Sequence, residues 1–133
     1  MTPVLCIGET ESVRDAGETE SLISSQLTLA LEGVGEEDIC RVIIAYEPVW
    51  AIGTGKTATS QQAEEVCAFI RRKLAVKYGN IADSVSIIYG GSMNSANCKE
   101  LLSCENIDGG LVGGASLKPD SFSAIINTAN SSI

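Results

Sequence analysis

Four short apolar runs recur along the chain: PVLCIG (3–8), RVIIAY (41–46), VSIIYG (85–90) and GLVGG (110–114). None alternates strictly with polar residues, and they are rich in β-branched and aliphatic side chains. That is the pattern of strands buried on both faces. Each run is followed by a stretch with helical spacing. Strand–helix order repeated in this way predicts an α/β fold, with parallel strands joined by right-handed crossovers.

The helices can be read individually. The first spans about 18–31, with Ile23, Leu27, Ala30 and Leu31 inward and Gly33 and Gly35 beyond its end. The next is capped by Thr59, with Gln62 three residues on to complete a capping box. Ala63, Val66, Cys67, Ile70 and Leu74 give it a buried stripe. Glu64 and Glu65 lie early and Arg71, Arg72, Lys73 and Lys77 late, which suits the helix dipole and predicts a solvated charged face. A shorter helix is expected over 95–103, and a last one starting near Pro119, a proline suited to a first helical turn. No low-complexity linker interrupts the 133 residues, so one domain, 1–133, is expected.

Composition narrows the classes. Nine Lys and Arg stand against 17 Asp and Glu, a net charge of −8, which disfavours nucleic acid as a partner. No apolar run is long enough for a membrane span, and the first residues do not read as a signal peptide. The five cysteines form no CxxC pair and there is no histidine, so no metal site or Ser-His-Asp mechanism is expected from these residues. Structural thiols in a reducing, cytoplasmic setting are the expectation.

The candidate chemistry lies in AYEPVWAIGTGKT (45–57). Glu47 falls where a buried strand stops, and Pro48 forbids further ladder pairing. Taken alone, such a glutamate is most simply a solvated loop carboxylate. Trp50 and Ile52 follow as an apolar flap, with Gly53 and Gly55 supplying backbone freedom around Thr54. The GTGKT within it is not a P-loop, because that motif needs glycine at the position held by Trp50. With parallel adjacent strands, one rim carries Glu9, Glu47, Gly90-Gly91-Ser92 and Gly113-Gly114. A single Gly-Gly reads as a tight turn. Two of them beside Glu47 suggest backbone amides converging on an anion, such as a small phosphorylated substrate.

AYEPVWAIGTGKTAT resembles the catalytic-glutamate and mobile-loop segment of the triosephosphate isomerase family. LCIGET (5–10), ESVRDAGET (11–19), IIYGGS (87–92) and GGLVGGASLKP (109–119) resemble the same family in the same order. The likeness covers nearly the whole chain, but only the last four of the family's eight strand–helix units. It implies half of a (β/α)8 TIM barrel.

By the same resemblance Glu47 is the general base that moves a proton between adjacent carbons of a triose phosphate. Gly53, Ser92, Gly113 and Gly114 bind the phosphate, and residues 48–57 form the lid. Tyr89 and Ser92 latch that lid when it closes, and Ile52 and Leu111 clamp it. Trp50, Gly55 and Glu9 support it. Cys6 stands near the site but reads as a core thiol. Gly110, where the family has a larger residue, is expected to loosen packing beside Leu111. No metal or organic cofactor is implied.

The family's active-site lysine and histidine belong to the other half, and no equivalent is visible here. The implied partners are therefore an amino-terminal half-barrel and, at full length, a second subunit of a homodimer. By itself the chain is expected to be nearly inactive and prone to self-association. A noncatalytic phosphate-binding or barrel-assembly module is the alternative reading. A sugar-phosphate aldolase would call for a Schiff-base lysine on a strand, and none of the four runs contains one.

Overall fold

The computed structural model describes residues 1–131. Its elements are β1 (Val4–Ile7), α1 (Glu11–Asp15), α2 (Thr19–Ala30), α3 (Glu36–Ile39), β2 (Ile43–Tyr46), α4 (Ser60–Tyr78), β3 (Ile87–Tyr89), α5 (Cys98–Leu102), β4 (Gly109–Gly110) and α6 (Pro119–Ser131). The strands form one parallel sheet in the order β1-β2-β3-β4. This is the α/β arrangement of half a TIM barrel, and it puts all four carboxyl ends on one rim.

Strand side chains alternate between faces, and the register sorts them. Ile7 pairs with Tyr46 and Tyr46 with Tyr89, while Ile44 pairs with Ile87. These residues are buried under Ile23 and Leu27 of α2, Ile70 and Leu74 of α4, and Leu101 of α5. The Tyr46 and Tyr89 rings sit 6.3 Å apart, tilted by 56°, within the range for favourable aromatic pairs. The other face is uncovered at β1, where Val4 is 43 % exposed and Cys6 is exposed. Among the described residues the outer edges of β1 and β4 have no strand partner.

The long helix α4 forms as expected. Thr59 Oγ1 accepts from the Gln62 amide at 3.1 Å, and Gln62 Oε1 accepts from the Thr59 amide at 3.0 Å. The five expected core positions are all buried, joined by Tyr78. Its charged face is less idle than the dipole argument suggests. Arg71 is drawn inward, its Nη1 donating to the carbonyls of Ala82 and Val85 at 3.0 and 3.1 Å. Its other nitrogens reach Asn106 at 3.1 Å and Asp108 at 2.7 Å. Lys77 donates to Leu31 O at 2.6 Å, satisfying a carbonyl at the end of α2.

Other departures have local causes. Ala30 is exposed rather than inward, since α2 ends there and only Ile23, Leu27 and Leu31 reach the core. Helix α5 starts later than expected because Asn94 Oδ1 accepts from the amides of Ala96 and Asn97, a side-chain turn that competes with helix. The last strand is Gly109–Gly110, ahead of most of the expected run. Its ladder follows β3, with Asp108 N donating to Ile87 O and Leu111 N to Tyr89 O. β3 stops at Tyr89, so Val112 to Gly114 have no strand to pair with. At Gly110 an added Cβ would come within 2.4 Å of Met93 Sδ. The Met93 thioether thus fills the space expected to be loose.

Candidate active site at the strand ends

Backbone bonds fix the start of the rim. Glu47 N donates to Ile7 O at 2.7 Å, Gly90 N to Tyr46 O at 2.7 Å, and Val49 N to Glu9 O at 3.0 Å. Three strand ends are thereby stitched around Glu47. Close approach dictates glycine at position 8, where a Cβ would meet Glu47 O at 1.7 Å. The Gly8 backbone is also held by Gln26, which accepts from its amide at 3.0 Å and donates to its carbonyl at 3.1 Å.

The half-buried Glu47 faces a cavity of about 490 Å³. Ile52 and Gly53 enter it from the lid segment, and Ser92 and Leu111 from the ends of β3 and β4. Gly113 and Gly114 complete it. The cavity unites seven of the expected site residues across 67 residues of sequence, from Glu47 to Gly114. Asn97 Nδ2 donates to Ser92 O at 2.9 Å and holds that loop, a contact the sequence reading missed.

The remaining four, Glu9, Trp50, Gly55 and Tyr89, are not in its wall. Glu9 is fully buried. Its Oε1 accepts from Tyr46 Oη at 3.0 Å, Trp50 Nε1 at 3.0 Å and Arg14 Nη1 at 3.2 Å. Oε2 is buried without a hydrogen-bond partner. The Arg14 guanidinium also covers the Trp50 ring, 5.1 Å from its centroid. Burial, followed by the Glu9 charge and hydrogen bond, pushes the Tyr46 phenol pKa up. Glu9 therefore anchors the start of the 48–57 segment, with Arg14 as an unforeseen partner.

The 48–57 segment leaves β2 through a 3₁₀ turn, Val49–Ala51. Beyond it, Gly53 and Gly55 take positive φ of 67° and 80°, which only glycine adopts without strain. Thr54 Oγ1 donates to Trp50 O at 2.7 Å and accepts from Lys56 N at 3.2 Å. Lys56 is ion-paired with Glu11. The expected latch is not closed. The Tyr89 hydroxyl is buried without a hydrogen-bond partner. Burial pushes its pKa up, opposed by the Ala58 amide toward which it turns.

Cys6 departs from its expected role. It is exposed on the uncovered face, beside the Glu47 side chain. Interaction with the Glu47 carboxylate, then burial and the Glu47 charge, push the thiol pKa up to about 11. The clue in the sequence was position alone. Cys6 is the direct register partner of Ala45, two residues before Glu47.

A parallel half-barrel with a carboxylate at a strand lip, a glycine-hinged lid and paired glycines beside it belongs with the α/β-barrel enzymes. More narrowly, the chain belongs to the triosephosphate isomerase family, whose family model matches residues 1–129. It is 52% identical to the triosephosphate isomerase of Ligilactobacillus salivarius over 131 residues, 98% of this chain and 52% of the relative. It is 53% identical to that of Colwellia psychrerythraea over 129 residues, 97% of the chain and 50% of the relative. With that of Halorhodospira halophila the identity is 54% over 130 residues, 97% of the chain and 52% of the relative. The chain spans about half the length of these curated relatives.

Proposed function

We propose that this chain is the carboxyl-terminal half of a triosephosphate isomerase site, interconverting glyceraldehyde 3-phosphate and dihydroxyacetone phosphate once a full barrel is assembled. The observation that carries this reading is the shared cavity. It places the Glu47 carboxylate, the lid residues Ile52 and Gly53, and the Gly113–Gly114 turn around one space of about 490 Å³. Glu47 takes a proton from the carbon bearing the hydroxyl and returns it to the neighbouring carbon. The carbonyl oxygen gains a proton between these steps and the other oxygen loses one, so the exchange is balanced without any cofactor. Amides at Gly53, Ser92, Gly113 and Gly114 bind the phosphate, an arrangement suited to a chain of net charge −8. Closure of residues 48–57 excludes water from the carboxylate, with Tyr89 and Ser92 as the latch and Leu111 as the apolar clamp.

The electrophile and a phosphate-facing cation come from the amino-terminal half-barrel. Triosephosphate isomerase is itself the worked case of a glutamate base paired with a neutral histidine and a lid. One preorganised donor is worth about 2.7–4 kcal/mol of barrier, on the order of 10²–10³ in rate. Without both donors this half alone retains at most a trace. The complete protein is a cytoplasmic homodimer of the glycolytic and gluconeogenic step, its subunit contact mostly on the other half.

The test joins this chain with the amino-terminal half of the L. salivarius relative and measures turnover of glyceraldehyde 3-phosphate, with Glu47→Ala as control. Turnover lost in the variant supports the reading. Phosphate binding with no Glu47-dependent turnover favours the noncatalytic module instead.

A further inference from the structure

We propose that Gly90 is a positioning residue for Glu47, its bare Cα serving as the seat on which the Glu47 side chain lies at the end of β3. The proposal rests on the reading of Glu47 as the base. A Cβ added at Gly90 would come within 2.4 Å of Glu47 Cγ and 3.1 Å of Cδ. Backbone conformation does not explain the glycine, because Gly90 is not among the residues of positive φ. Its amide makes an ordinary bond to Tyr46 O at 2.7 Å, which any residue but proline supplies. What position 90 cannot supply, once it carries a side chain, is the space that Glu47 occupies.

The contrast with Gly8 is informative. There the clash is with the Glu47 carbonyl, backbone that cannot move without disturbing the strand ends. At Gly90 the two closest atoms belong to a flexible side chain, with the Tyr46 carbonyl at an ordinary 3.4 Å. Alanine at 90 is therefore accommodated by the carboxylate swinging off its seat while the ladder stays. Glu47 then leaves both its cavity position and the Cys6 thiol whose pKa its carboxylate raises.

Cys6 makes the displacement measurable without turnover. In this chain, alkylation of Cys6 by iodoacetamide is followed against pH by peptide mass spectrometry. The unmodified chain titrates near a pKa of about 11, and Gly90→Ala moves that profile down toward the ordinary thiol value. Gly35→Ala, at a glycine with nothing within 4 Å of an added Cβ, leaves the profile in place. In the completed barrel, Gly90→Ala lowers kcat by about 10²-fold, the loss expected from displacement of a reacting group by roughly 1 Å, with little change in KM.

An unchanged profile and unchanged kcat overturn the proposal. A shifted Cys6 profile in a barrel that shows no Glu47-dependent turnover leaves the seat standing and overturns the isomerase reading instead. Should Gly90→Ala fail to fold, Glu47→Ala is added to remove the clashing Cγ and Cδ. Recovery of the melt supports the seat, and no recovery overturns it.

Discussion

The Trp50 indole donates to Glu9 Oε1 at 3.0 Å, fastening the first turn of the lid to a carboxylate at the end of the neighbouring strand. Arg14 completes the clasp from above the ring, so one buried oxygen links β1, β2 and the lid. Glu9→Ala leaves Arg14 and Tyr46 without their acceptor. We expect a loss of about 3 kcal/mol, the lower end for breaking a buried pair, because Arg14 retains some access to solvent. Trp50 is the sole tryptophan, so its emission should shift to the red as the indole is released. An unchanged spectrum would mean that Glu9 does not hold the lid.

Arg71 offers a second test away from the rim. Its guanidinium ties two carbonyls before β3 to Asn106 and Asp108, and Asp108 in turn accepts from Ile87 N at 2.7 Å. Lysine keeps the charge but cannot serve four acceptors from a planar fork. Arg71→Lys should lower stability by about 2 kcal/mol, within the range for leaving buried acceptors unsatisfied. Denaturant melts of the two single variants and the double variant with Asp108→Asn should show non-additive losses.

Helix α4 was legible in detail because its information is local. The capping residues stand three apart and the buried stripe recurs at 3.6, so neither needs the rest of the chain. The strands β2 and β3 were equally clear from their aliphatic runs. Position β4 was misplaced because its extent depends on where β3 stops, 20 residues earlier in sequence at Tyr89 rather than at Gly109. The site shows the same division. The place of Glu47 at the end of β2 could be read from the strand stop and Pro48, whereas the Glu9 cluster joins residues 37 and 41 apart in sequence. Arg71 looked like one of four surface cations until Asp108 and the carbonyls before β3 were placed beside it.

Loss of the Thr59 cap should be a clean measure of local contribution. Thr59→Ala removes the acceptor for Gln62 N while leaving the buried face of α4 intact. An expected loss of about 1 kcal/mol follows for an N-cap of this type. Thr59→Ser should restore most of it. A loss confined to the lid, with α4 equally protected in hydrogen exchange, would contradict the assignment.

Alkaline pH should weaken the fold with a definite sign. The Cys6 thiol has a folded pKa of about 11 against a reference of 9.0. The folded state therefore favours the neutral thiol. That contribution is fully present below pH 9 and is lost as pH rises through about 11. Cys67 and Tyr46, pushed up by burial first and neighbouring charge second, act with the same sign at higher pH. Cys6→Ser should flatten the decline between pH 9 and 11. Equal slopes in the two proteins would show that Cys6 is not coupled to Glu47.

The open sheet edges carry the last expectation. β1 and β4 each present an unpaired side among the described residues, and unpaired strand edges recruit other chains. Val4 at 43 % and Leu111 at 39 % exposure add apolar surface near the two ends of the sheet. Net charge of −8 opposes association only at long range and is screened beyond about 8 Å at physiological salt. The isolated chain should therefore sediment as concentration-dependent oligomers, more so as salt is raised. Val4→Lys, which places a charge on the exposed β1 edge, should reduce this association. Supplying the amino-terminal half should collapse the oligomers to one defined species, because it covers both edges at once. A sharp monomer with a cooperative melt, unaffected by the added half, would show that the sheet protects its own edges.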